Sequence, residues 1–154
     1  MELPFKFVAI SVFVHATESE EKVKGVMESL LPEEVEIEKS KAKGHHGDPI
    51  VILKARIDRR PFLRKFWCRV IEKLQKNEKE KLTQYMRDRI GDDCRLYLRF
   101  DKQLAVSDEL ALVDSGDALH VRINISAYPA KREIAIEKME KFIASGWDKV
   151  ENWK

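Results

Sequence analysis

The chain has little of what most chemistry requires. Its 154 residues include two cysteines, Cys68 and Cys94, which form no CxxC pair; nothing in their spacing points to a disulfide framework or a thiolate zinc site, and two reduced thiols in a cytoplasm are expected. No run of about 18 apolar residues occurs, and the opening MELPFKFVAISVFVHATE has an acid at its second position and no small-residue cleavage pattern. Neither a membrane span nor a secretory leader is expected. The glycine-bearing stretch GHHGDP, Gly44 to Pro49, leads into a strand and lacks the GK[ST] of a phosphate-binding loop. His45 and His46 are adjacent, so on extended backbone they point to opposite sides and do not share an ion as two imidazoles one helical turn apart do. Cys68 has no histidine close in sequence to make it a nucleophile. The acid pairs Glu33-Glu34 and Asp92-Asp93 read as solvated turns. No catalytic set, cofactor or metal is therefore expected. Repeats and low-complexity segments are absent as well.

What is present is an ample core and an uneven charge. Apolar residues make up 44% of the chain, enough for one domain over residues 1–154 with a tail at 145–154. A charged fraction of 36%, with few Asn and Gln, has the composition of a thermophilic protein. The net charge of +2 conceals segregation: Lys54 to Lys102 carries 16 Lys or Arg against 8 Asp or Glu, and the remainder carries 13 against 19. Segregation on that scale suits a polyanionic partner better than uniform solubility charge does.

The charge concentrates on one predicted helix, RRPFLRKFWCRVIEKLQK, Arg59 to Lys76. Leu63, Phe66, Trp67, Val70, Ile71 and Leu74 recur every three or four residues and mark its buried side. Lys65, Arg69, Lys73 and Lys76 follow one another on the other side, a row of roughly 16 Å that matches two or three phosphates. Arg59, Arg60 and Arg64 thicken its start, Pro61 suits a first turn, and Asp58 is the expected cap. Lys43, His45 and His46 at a predicted hairpin tip would add a basic loop beside this helix, its glycines allowing close approach to a ribose-phosphate.

Strands are predicted from alternation at 5–15, from Val35 through the polar SKAK, at 50–57, at 94–100, at 110–113 and at 119–125. Helices are predicted after the Thr17/Glu20 capping box, over 59–76, over 78–90 and over 131–144, with a short helical turn at 101–109. The Ser115-Gly116 turn pairs 110–113 with 119–125 as a hairpin. This order is α+β: a six-stranded, largely antiparallel or mixed sheet with helices mainly on one face. Trp147, Val150 and Trp153 give the tail one apolar edge, expected to pack on the body or on a dimer partner.

The segments SVFVHATESEEKV, KGHHGDPIVILKARI and LRFDKQLAVSDELALVDSGDALHVRINISAYP resemble an archaeal family of small RNA-binding proteins, formerly a domain of unknown function and described as predicted exosome subunits. The resemblance covers about residues 5 to 144. It implies the fold of the large-subunit ribosomal protein that contacts 5S rRNA, RNA binding without catalysis, and a link to RNA processing or degradation. The expected function is thus a non-enzymatic RNA-binding protein using the basic helix. The alternatives are a dimerising or protein-interaction subunit of an RNA-processing assembly and, at greater distance, a metal-dependent hydrolase.

Overall fold

The computed structural model describes residues 3–74 and 76–144, so the expectation for the tail tryptophans lies outside the described residues. Strand β1 (Phe5–Val14) buries Val8, Ile10, Val12 and Val14 and turns Phe7, Ala9, Ser11 and Phe13 the other way. As its two apolar faces suggest, it is central. The strands β2 (Glu38–Lys43), β3 (Pro49–Ile57), β4 (Arg95–Asp101) and β5 (Ala118–Ile125) join it in the order β2-β3-β1-β5-β4, and every pairing is antiparallel.

The sheet has five strands, not six. Residues 110–113 make only an isolated bridge from Leu112 to Phe100, with the Val113 amide donating to the Arg99 carbonyl at 3.0 Å, and a parallel bridge from Leu110 to Leu74. The hairpin expected around Ser115-Gly116 does not form, because β5 is already paired on both sides, by β1 and β4. Val35 and Ile37 also stay out of the sheet; they follow a turn closed by the Val35 amide on the Pro32 carbonyl and lie half-buried against the core.

Helices cover one face of this sheet. In α1 (Glu20–Leu30) the cap is Ser19, whose Oγ accepts from the Lys22 amide at 3.4 Å. The Thr17/Glu20 box is not used, since the helix begins at Glu20 itself. Helix α2 (Arg60–Lys73) has Pro61 in its first turn, but its cap residue is Arg59, without a side-chain cap, and Asp58 makes none. α3 (Lys76–Tyr85), a 3-10 turn at Arg87–Arg89, α4 (Lys102–Val106) and α5 (Arg132–Ala144) complete the layer. Trp67 of α2 packs on Phe5 and Phe142 with ring centroids 5.5 and 5.7 Å apart, tying β1, α2 and α5 into one apolar cluster. Tyr85, at a position where the helical apolar spacing of Leu82 and Met86 would suggest burial, is exposed, with the Arg89 guanidinium 5.5 Å from its ring.

Candidate nucleic-acid interface

The helical row of cations does not form as one ridge. α2 ends at Lys73, and Lys76 belongs to α3. Within α2 the buried side is as expected, but its charges divide. The Arg69 guanidinium donates to the Leu31 carbonyl, and Lys73 is held by Asp108 with 15% of its side chain exposed. Arg59, Arg60, Arg64 and Lys65 remain exposed at the N-terminal turns, Arg59 resting against the Phe62 ring at 5.2 Å. Arg87 pairs with Glu133 and Glu140, and Arg89 with Asp114, so neither extends the row.

The loop between β2 and β3 is shaped by its own turn. Gly47 has φ +82°, a left-handed conformation that glycine adopts without cost, and a Cβ on Gly44 would stand 3.0 Å from Ile50 Cδ1. His45 and His46 are exposed, their rings 5.2 Å apart edge-on. The tip does not neighbour the basic start of α2. The two occupy opposite ends of the nine-residue β3, a separation of about 27 Å. Lys43 pairs with Pro49, and that register turns it to the side where Lys39 meets Glu20 of α1 at 3.0 Å.

Cations gather instead on the face of the sheet that none of the described helices covers. Pairing places Arg56, Ala9, Arg122 and Tyr97 in one row across β3, β1, β5 and β4; Lys54, Ser11, His120 and Arg99 form the next. Rows on one face repeat every two residues, about 7 Å. Phe7, Asn124 and Arg95 make a third. Ala9 and Ser11 are short and the chains flanking them long, so the face is grooved along β1, with Lys54 and Arg56 on one bank and Arg99, His120 and Arg122 on the other. Phe7 and Phe13 stand on the same face of β1, one beyond each end of the Ala9–Ser11 floor.

Two of the bank side chains rest against aromatic rings of β1. The Arg122 guanidinium lies 5.8 Å from the Phe7 ring, and Phe13 meets His120 at 6.4 Å. Tyr97 donates its hydroxyl to Asp93 at 2.6 Å, a bond that holds the Asp93 carboxyl below its usual range. Among the described residues no carboxylate pairs with Lys54, Arg56, Arg99 or Arg122. The strand carboxylates on this face are marginal: Glu38 on the edge strand and Asp101 at the end of β4, where it caps α4. His120 is held below the ordinary imidazole value by burial and by the adjacent Arg99 charge, against the pull of Asp117, and so presents a neutral ring near pH 7.

In sequence, Arg95, Tyr97 and Arg99 mark one partly basic face of a single strand and no more. The signal was the polar parity of four strands, which needed the strand order to become a site.

One cluster has the donor types of a metal site. His15, Glu18 and Asp117 bring one ligand atom each within 4.8 Å of one another. Their cation is already there: the Lys102 ammonium, 1% exposed, donates to Glu18 at 2.6 Å, to the Phe13 carbonyl at 3.0 Å, and to Asp117. An ammonium has three donors, and all three are used.

The sequence model of a family described as RNA binding matches residues 7–125. The chain belongs to this RNA-binding family. The match runs from Phe7 to the last residue of β5, so it spans the whole grooved sheet and stops short of α5. The RNA-binding protein PAB1135 of Pyrococcus abyssi is 33% identical over 141 residues, which are 88% of this chain and 92% of that one. Two solved structures are similar throughout: AF2318 of Archaeoglobus fulgidus, with 36% identity, a TM-score of 0.78, and 89% and 98% of the two chains covered; and Mth689 of Methanothermobacter thermautotrophicus, a DUF54 protein, with 36% identity, a TM-score of 0.77, and 89% and 96% covered. The resemblance read from the three sequence segments and the family match therefore agree on an archaeal RNA-binding family with an α+β fold.

Proposed function

We propose that this protein is a non-enzymatic RNA-binding module whose principal contact surface is the open face of the sheet. The observation that carries the reading is the pair of rows across β3, β1, β5 and β4, in which Lys54, Arg56, Arg99 and Arg122 have no carboxylate partner among the described residues and surround a shallow groove. Cations left unpaired in a fold that has 27 acids available are suited to phosphates. Arg59, Arg60, Arg64 and Lys65 form a secondary surface on α2. Arg56 and Arg59 line one hollow at the end of β3, but Glu34, Glu36, Glu38 and Asp58 line it too and weaken its pull on a polyanion. Lys43, His45 and His46 lie at the other end of β3 as an outlying contact. An accessory part in RNA processing or degradation, alongside exosome or similar proteins, is the cellular setting of this reading, and the family resemblance supports it.

Charge reversal tests the surface. A short fluorescent RNA is titrated with the native chain, with Lys54→Glu/Arg56→Glu and with Arg64→Glu/Lys65→Glu. All four residues are exposed, so the fold is retained. The sheet pair is expected to weaken binding at least tenfold and the helix pair by less. An equal or greater loss from the helix pair would return the interface to α2, and no loss from either would remove both.

A further inference from the structure

We infer that the groove along β1 takes unpaired RNA, with bases stacked on Tyr97 and Phe13; the inference rests on the sheet face being the RNA surface. The inner side chains of the banks, Lys54 and Arg56 on β3 and His120 and Arg122 on β5, stand on the two neighbours of β1, with Arg99 behind them on β4. Strands lie 4.7–4.9 Å apart, so the banks are about 10 Å apart between backbones, far narrower than a double helix and suited to one strand of backbone. The groove runs from Phe7 to Phe13, six residues or about 20 Å. That is room for a short single strand.

The aromatic groups are those that a stacking platform needs. Tyr97 is 45% exposed and Phe13 40%, on two strands of the same face. Large aromatic rings in contact with water are costly to keep, and here they stand beside the unpaired cations instead of in the core. The Asp93 bond fixes the Tyr97 hydroxyl, which limits the freedom that ring loses when a base settles on it. His120, neutral and beside Phe13, adds a third flat ring. Rings flanked by phosphate-binding side chains bind single strands with little sequence preference, because every base offers a face. A duplex hides its bases and offers the groove only its outer phosphates.

The test uses an RNA of about eight nucleotides containing 2-aminopurine, alone and annealed to its complement. The native chain is expected to bind the unpaired strand at least tenfold more tightly than the duplex and to quench the reporter. Phe13→Ala/Tyr97→Ala should lose roughly tenfold or more for the unpaired strand, together with the quench, and leave duplex binding unchanged, given that stacking one base accounts for about 5- to 150-fold. Tyr97→Phe keeps the ring and should keep the affinity. Tyr85→Ala removes an exposed ring on the helix layer and should change nothing. Equal binding of duplex and single strand, or undiminished binding by the double alanine variant, overturns the inference. Lys54→Glu/Arg56→Glu separates the two levels: if it abolishes binding of both RNAs while the alanine pair has no effect, the sheet is the RNA surface but not a stacking platform. If it changes neither, the surface itself is misplaced.

Discussion

At the scale of single residues, Lys102 shows how little a side chain's type says about its place. In DKQLAVSDE it looks like one more charge on a helical turn, yet it is 1% exposed and joins the ends of β1 and β5 through the Phe13 carbonyl, Glu18 and Asp117. Nothing local marks it, because its three acceptors are at least 15 positions away in sequence. Replacing it with Met leaves the Glu18 and Asp117 carboxylates facing each other without their cation. We expect Lys102→Met to lose about 2–4 kcal/mol in urea unfolding, toward the lower part of the range for breaking a buried pair since Asp117 is partly exposed. Burial raises the Glu18 pKa, but the Lys102 and His15 hydrogen bonds and charges outweigh it, and the net value is lowered. A lowered carboxylate stabilises the fold above its unfolded value and loses that contribution as pH falls through its folded one. Lys102→Met removes the lysine's hydrogen bond and charge and leaves only the His15 contributions to oppose burial, so the acid limb of the stability curve should move to higher pH. An unmoved acid limb would mean that Glu18 owes its state to something other than this lysine.

At the scale of elements, α2 divides into what periodicity fixes and what only a partner decides. The apolar seam from Leu63 to Leu74 was legible because burial of a helix face repeats every 3.6 residues, and all of those residues are buried. The end of the helix was not. Leu74 leaves helical geometry at φ −72°, ψ 130° and bridges to Leu110, 36 positions on, so a tertiary partner cuts a row that sequence alone continues to Lys76. Arg69 was likewise read as free charge, though α1 has no basic residue in its last turn and Arg69 supplies one from outside by donating to Leu31. Arg69→Met should therefore lower stability by about 1–3 kcal/mol, the range for a charged hydrogen bond to a carbonyl, and leave RNA affinity within about twofold. A large loss of affinity without loss of stability would restore Arg69 to the interface. The edge strand β2, with all six residues of EKSKAK exposed and three of them lysine, is guarded against strand addition, which speaks against dimerisation through that edge.

At the scale of the whole molecule, the site exists only because of strand order. Alternation in β1, β3, β4 and β5 was readable strand by strand, and so was the α+β class. Which strands adjoin was not, since pairing joins residues as far apart as Arg56 and Arg122 through Ala9. Five cations from three strands, Lys54, Arg56, Arg95, Arg99 and Arg122, thus come to share a face in a chain whose net charge is only +2. Their collective action has a thermodynamic signature that net charge does not predict. Each phosphate neutralised on a single strand releases counterions and contributes about −0.7 to the slope of log K against log salt, so five contacts give about −3.5 and a loss of roughly 100-fold between 50 and 200 mM salt. Lys54→Gln/Arg56→Gln should flatten the slope by about 1.4, one increment for each cation removed. Fluorescence titrations at four or five salt concentrations resolve that change. A slope near zero in the native chain, or one that the double variant leaves untouched, would mean that these side chains, although aligned, do not meet phosphate.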